Sequence, residues 1–518
     1  FSDDFHYVVR KNSLDWVEQM VEEAKEAAND QEPNQLEALR EIFEEESRKS
    51  YYTGDPRFWR NFEHINIKNV YNANSVEFKN LKLMFIETVF FIFALTILTL
   101  FIYEVKHPAV FQCRQEQYKY WSGCDESGHC KLDDVRDMES FWNWTRYEFI
   151  PNLYTHDAYA ADLADIVSSW DHGFDRTYSP RYVGSAENTI MLGNVQIRQQ
   201  RVEANKGCSP SARFQHAFAD CYGAYNSDTQ STSTFSTRAT PKYLLNSYEY
   251  QTDDQLKAAS VDGYPGGGFA VELGMDEAMT RTTLSDLHAW SWCDRSTRAV
   301  VFDLSVLNPN VNVITNNIIL CEFFATGAVG CKQFANSART LVFVPSISRA
   351  EELSVFLYQV ALLVIFCVMI GWIGWLISKI KFRFFTYGWN YVDFAILILF
   401  LTILIIRIGI YTAVAAEPNL AVDVIGHPMK FMPFSRIMEN VLASQQLLAF
   451  LGFIVYIKSV KYLSIFRFFR VMVRVIEKCA MEISWFAVLL VLVFFAFALA
   501  FFVRFGDQDE NFSTVMSS

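Results

Sequence analysis

Basic charge is in short supply: Lys and Arg number 45 against 58 Asp and Glu, a formal net charge of −13. Such a chain repels a polyphosphate backbone, so nucleic acid is not an expected partner. Histidine is scarce as well. Its 9 copies are scattered and place no serine or cysteine nucleophile beside a base, so no enzyme activity is expected. The run Gly266-Gly267-Gly268 lacks the Lys-Ser or Lys-Thr that completes a phosphate loop, and reads as a turn or bulge needing positive φ. Cys124, His129 and Cys130 lack the paired spacing of a zinc ligand set, which leaves no metal site in view. A signal-peptide pattern is also missing from the polar stretch after Phe1, so the first apolar span is the expected targeting signal where the N-terminus lies further upstream.

Apolar runs are what the chain does have. Hydrophobic residues make up 51% and aromatics 16%, with 46 Phe. About 20 uncharged residues in a helix, at 1.5 Å each, cross a hydrocarbon core about 30 Å thick. Five segments approach that length, S1 to S5: residues 80–103, 351–380, 389–416, 441–472 and 484–505. Short loops rich in Lys and Arg stay on the cytoplasmic side. Lys379, Lys381 and Arg383 lie between S2 and S3, and Arg467, Arg470, Arg474 and Lys478 between S4 and S5, whereas the S3–S4 loop is more acidic. This charge pattern puts the N-terminal segment 1–79 inside and the region 104–350, inserted between S1 and S2, outside.

The inner segment is acidic and reads as amphipathic helices, with Leu14, Val17, Met20 and Val21 and then Leu36, Leu39, Ile42 and Phe43 at helical spacing. The outer region reads as α+β, with strands at 299–307, 311–323 and 340–344. It holds eight of the ten cysteines, and short spacings suggest the pairs Cys124 with Cys130, Cys208 with Cys221 and Cys321 with Cys331, leaving Cys113 and Cys293. Cys367 in S2 and Cys479 on the inner side are expected to stay reduced. Asn143-Trp144-Thr145 is a glycosylation sequon on the outer side.

A basic stripe runs along S4. Lys458, Lys461, Arg467 and Arg470 fall at multiples of three, Ser464 takes the empty step, and Arg474 follows four later. The three arginines also suit a positive-inside anchor at the bilayer exit. One charge crossing the whole field is worth about 2.3 kcal/mol per 100 mV, so Lys458 and Lys461 are the candidates for a weak voltage sensor. Glu87 in S1, Asp393 at the start of S3 and Arg407 within S3 are the other charges at membrane depth, and each needs a partner or an aqueous crevice. Asp393 is the expected counter-charge for the lower end of S4. Asp507, Asp509 and Glu510 follow S5 on the outer side, in 506–518.

Several strings resemble one family in order along the chain. Asp137-Met138-Glu139-Ser140-Phe141-Trp142, Ile197-Arg198-Gln199-Gln200-Arg201-Val202 before Cys208, and Cys221-Tyr222 resemble the extracellular domain of polycystin-2-type channels. So do Asp294-Arg295-Ser296-Thr297-Arg298-Ala299, Asp303-Leu304-Ser305-Val306 and Glu322-Phe323-Phe324-Ala325-Thr326-Gly327. In the membrane part Trp389-Asn390-Tyr391-Val392-Asp393, Ile457-Lys458 with Lys461, and Phe505-Gly506 with Phe512-Ser513-Thr514 are similar to its S3 entry, S4 and approach to the pore helix. The resemblance covers 79–518 and implies a tetramer, with itself or a related polycystin, forming a non-selective cation channel of ciliary, plasma or endoplasmic reticulum membranes. It further implies calcium as permeant or regulatory ion, no cofactor, outer domains forming a lid over the pore, and contacts with membrane lipids and extracellular matrix or ciliary surface proteins. The selectivity filter and S6 would lie beyond Ser518, and the three acids after S5 would ring the pore mouth. Two rival readings are a mucolipin-type endolysosomal channel and a membrane anchor whose outer domain tethers extracellular material.

Overall fold

In a computed structural model the residues described are 76–154, 182–184, 188–211, 213–214, 220–236, 247–273, 277–340, 350–380, 388–415, 431–432, 434–463 and 467–505. The helices expected in 1–75 and the acids Asp507, Asp509 and Glu510 lie outside them. The chain divides into two compact units, Thr96–Phe366 with Ile398–Leu451, and Phe1–Leu95 with Cys367–Leu397 and Gly452–Ser518.

A twisted antiparallel sheet organises the first unit. Its strands are β1 (Tyr182–Val183), β2 (Thr189–Arg201), β5 (Phe269–Glu272), β6 (Thr297–Asn308), β7 (Val313–Phe323) and β8 (Val329–Arg339), in the order β1-β2-β6-β7-β8, with β5 also paired to β2. A separate pair joins β3 (Phe235–Ser236) to β4 (Ser247–Tyr248). Strand β6 shows why the sheet forms where it does: successive side chains of a strand point to opposite faces. Val300, Phe302, Leu304 and Val306 enter a core shared with α1 (Pro108–Ser122), α2 (Met138–Trp144) and α3 (Glu277–Ala289), through Trp121, Phe141, Trp144 and Leu284. Ala299 and Val301 turn to the opposite face, beside Ile318, Leu320 and Tyr264. Helices α1 and α2 have defined starts. His107 Nδ1 accepts from the Ala109 N–H, with Pro108 opening α1, and Asp137 and Ser140 form a reciprocal capping box on α2.

Residues 341–344 of the expected strand 340–344 lie outside the described residues. A strand not expected from the sequence is Val329–Arg339, paired residue for residue with β7 from Phe323↔Val329 to Val313↔Arg339. Its inner residues are largely polar, with Gln333 and Ser337 buried and hydrogen-bonded to Asn317 and Thr315, so hydrophobic alternation is absent from that stretch. Strand β2 is harder still to read, because Gln196, Arg198, Gln199, Gln200 and Arg201 are all buried. Positive φ is confined to Gly268 in the glycine run. A Cβ at Gly266 would collide with the Ala258 carbonyl oxygen and one at Gly267 would lie 2.7 Å from the Gln251 carbonyl oxygen, so these two serve close approach of backbone.

Among the described residues five helices are long and apolar enough to cross a membrane. S1 is Val76–Val105, S2 Ala350–Ile380 and S3 Gly388–Ala415. S4 corrects the expected 441–472: the helix is Phe434–Leu463. It begins directly after Pro433, a residue tolerated at a helix start but not inside one, and Ser435, Arg436, Glu439 and Asn440 interrupt its first two turns, which hid them from a count of apolar residues. The next helix, Arg467–Phe505, carries both the expected linker 473–483 and S5.

Candidate functional site: paired charges at membrane depth

In the second unit three helices bring together charges that apolar surroundings would otherwise penalise. Glu87 and Phe91 stand one turn apart on S1, Asp393 lies in the second turn of S3, and Lys458, Lys461 and Tyr462 share a face of S4. Lys458 pairs with Asp393, the two side chains being 8% and 15% exposed. Lys461 Nζ lies 2.8 Å from Glu87 Oε1, and the Tyr462 hydroxyl donates to the same oxygen at 2.9 Å. Phe91 stacks on Tyr462 with ring centroids 4.3 Å apart, and Lys458 Nζ sits 5.4 Å from the Phe91 centroid. A lone charge at the centre of a membrane helix costs about 2.5–3.5 kcal/mol on insertion scales, and pairing offsets much of that. Leaving one member unpaired in a buried pair costs about 3–5 kcal/mol.

The basic stripe is therefore divided. Lys458 and Lys461 end S4 against carboxylates, whereas Arg467, Arg470 and Arg474 belong to the following helix, beyond residues 464–466. Asp393, expected as the counter-charge for the lower end of S4, meets Lys458 near that end. Tyr462 and Phe91, absent from the sequence reading, complete the cluster; an aromatic in an apolar helix carries no signal separating it from ordinary packing.

In the other unit the residues before S4 and its first two turns are tied to the sheet and to the loop holding Ala259 and Ser260. Phe431 bridges Asn194, the Ser435 hydroxyl oxygen accepts from the Ala259 N–H at 3.1 Å, and Glu439 Oε1 accepts from Ser260 at 3.1 Å. Ser435 also lies beside Asp303, a fully buried β6 carboxyl that accepts from Asn316 at 2.9 Å. Burial raises the Asp303 pKa, opposed by the Arg198 charge and these polar neighbours.

Against known proteins, residues 131–339 match the polycystin domain and residues 346–518 match the polycystin cation channel. The chain belongs to the polycystin family. It is 27% identical over 397 residues to Polycystin-2-like protein 1 of Homo sapiens, covering 73% of this chain and 44% of that one. With Polycystin-2 of Danio rerio the identity is 26% over 390 residues, covering 73% and 39%. Polycystin family receptor for egg jelly of Homo sapiens is 22% identical over 401 residues, covering 71% and 17%. The chain thus spans less than half the length of these relatives. Both family matches are to polycystins, which removes the reason to consider a mucolipin-type channel. Polycystins are ion channels and not enzymes, and this one is an integral, multi-pass membrane protein with an outer domain inserted after S1.

The polycystin domain carries three disulfides, Cys124–Cys130, Cys208–Cys221 and Cys321–Cys331, the last joining directly opposed residues of β7 and β8. Cys113 and Cys293 do not pair; Cys293 is packed in the helix-facing core, where burial pushes its thiol up. Cys367 and Cys479 are also free. Asn143 is exposed on α2, while Thr145 is buried and donates to the Phe141 carbonyl at 2.8 Å. Among the described residues no group of three His, Cys, Asp or Glu is placed to hold a metal.

Proposed function

We propose that this polycystin is a subunit of a tetrameric, calcium-permeable, non-selective cation channel of ciliary membranes, in which Lys458 and Lys461 form a weak voltage-responsive element. The observation that carries this reading is the pairing of both lysines, on one face of S4, with acids from S3 and S1. A displacement of S4 through the field must exchange these partners, and only a helix whose charges are compensated at each resting position can move at modest cost. Asp507, Asp509 and Glu510 act at the pore mouth as a cation-concentrating ring, and Asn143 carries a glycan. The tetramer forms with itself or a related polycystin, and matrix or ciliary surface proteins contact the outer domain.

Current recorded from the full-length protein tests this. Lys458→Gln with Lys461→Gln should flatten or shift the conductance–voltage curve at normal surface expression, by up to about 2.3 kcal/mol per 100 mV for each charge that crosses the full field. An unchanged curve would reduce both lysines to structural ion pairs, and a full-length protein at the surface that passes no current under any stimulus would favour the membrane-anchor reading.

A further inference from the structure

Arg407 is the charge at membrane depth that the paired cluster does not absorb. It stands on S3 in the unit that contains the outer halves of S1 to S4, 9% exposed, with its guanidinium 5.4 Å from the Phe101 ring centroid of S1. None of its three nitrogens, Nε, Nη1 and Nη2, is hydrogen-bonded among the described residues, and no described carboxylate pairs with it. Tyr411, one turn further along S3, faces the guanidinium, yet its hydroxyl donates to Gln359 Oε1 of S2 at 3.2 Å. That bond orients the amide and leaves Gln359 Nε2 buried without an acceptor. On S4, Gln445 Oε1 accepts from Lys106 Nζ at 2.6 Å. The result is a pocket of donors, a guanidinium with five N–H groups and an amide N–H, whose facing acceptor, the Tyr411 hydroxyl oxygen, cannot satisfy them all.

Buried donors of this kind are satisfied in native proteins, and the complement of a planar guanidinium fork plus an amide is an oxyanion with several acceptor oxygens. We propose that Arg407 and Gln359 bind the phosphate group of a phospholipid from the outer leaflet, drawn into the outer half of the S1–S4 bundle. Two observations favour a lipid as its source. Arg407 precedes the end of S3 at Ala415 by eight residues, about 12 Å of helix, so it lies within the outer leaflet and below the aqueous surface. Its neighbours Ile405 and Ile408 are 61% and 52% exposed, which offers apolar surface to acyl chains beside the donors.

Native mass spectrometry of the full-length protein in detergent, with phosphatidylglycerol, diacylglycerol of the same chains, or inorganic phosphate added, tests the proposal. The wild type should retain phosphatidylglycerol over diacylglycerol by about tenfold, Arg407→Gln should lose that preference, Arg407→Lys should keep part of it, and Gln359→Leu should weaken it by about threefold. Inorganic phosphate should not displace the lipid. Equal retention of the two lipids by the wild type, or an unchanged preference in Arg407→Gln, overturns the proposal. Displacement by inorganic phosphate assigns the site to a soluble ion and overturns the lipid source. Should Arg407→Gln fail to assemble, an undiminished preference in both Arg407→Lys and Gln359→Leu overturns it equally.

Discussion

The outer domain and the membrane helices bury polar groups by different means. In the sheet, Gln199 Nε2 reaches both the Trp292 carbonyl and Thr297, Asn316 Nδ2 reaches Asp303, Leu304 and Ser305, and Arg298 donates to carbonyl oxygens of Tyr222, Gly223, Arg295 and Thr297. Several partners share each group, and most are backbone carbonyls that no substitution can remove. Between the membrane helices the charge cluster is built from side-chain pairs, Lys458 with Asp393 and Lys461 with Glu87. A network with many backbone partners rigidifies, while a pair of side chains can be broken and remade when a helix moves. The outer domain is built to hold one shape and the charge cluster to permit two.

The largest effect should come from the outer core. Phe302 is 1% exposed and packs on Phe149, Trp144 and Phe141, so Phe302→Ala should cost about 3–5 kcal/mol, read as a lower denaturant midpoint of tryptophan fluorescence and reduced surface expression. A loss under about 1 kcal/mol would mean that the site collapses around the deletion and the outer domain is less rigid than its packing implies. Asp393→Asn comes next. It leaves Lys458 unpaired in apolar surroundings and should destabilise by about 3 kcal/mol, while Asp393→Asn with Lys458→Gln should recover much of the loss, a coupling that a double-mutant cycle measures directly. Additive losses would show that the two charges do not depend on each other.

Cys208→Ser with Cys221→Ser should cost about 2–3 kcal/mol, since closing a loop of this length removes chain entropy from the unfolded state. Peptide mapping without reduction checks the bond itself, and free thiols at both positions would remove the basis for the prediction. This effect belongs to the outer domain alone, so the conductance of channels that reach the surface should stay unchanged.

How much of this was legible in the sequence follows the same division. Membrane helices announce themselves through uncharged runs, and Glu87, Asp393, Lys458, Lys461 and Arg407 stood out because charge there is rare. Their pairing was only half legible: Asp393 is readable as a partner of the lower end of S4, whereas the pairing of Glu87 with Lys461 has no signal in the sequence. No Gly or Pro marks residues 464–466, so the end of S4 at Leu463 had no local signal, and the polar residues Ser435 and Glu439 in its first two turns looked like loop because their partners Ala259 and Ser260 are distant in sequence. In the sheet, β6 showed the alternation of a strand, whereas β2 and β8 bury Gln, Asn, Ser and Arg whose partners come from neighbouring strands. A pattern built on hydrophobicity cannot detect a strand whose inner face is polar. Motifs of the family located that region where periodicity did not.

The smallest expected effect separates two aspartates within the outer domain. Burial raises the Asp294 pKa, but the Arg201 charge, with Arg201 Nη2 at 2.7 Å from Asp294 Oδ2, and hydrogen bonds from Ser296 outweigh it, so the net shift is below the ordinary 3.8. A depressed folded pKa contributes stability that is present above the unfolded value and lost as pH falls through the folded one. Asp303 is shifted the other way, so its protonation favours the folded state and adds stability as pH falls from its raised value toward 3.8. The two effects therefore occupy different windows, Asp303 above 3.8 and Asp294 below it. Because the Asp294 side chain is 42% exposed, solvent screening limits its share to under about 1 kcal/mol. Unfolding midpoints measured from pH 6 to pH 2.5 should show Asp294→Asn flattening the acid loss below 3.8 and Asp303→Asn removing the gain above it. Identical profiles for wild type and both variants would mean that the network around these carboxyls relaxes on protonation, and that the rigidity ascribed to the outer domain does not extend to its charged groups.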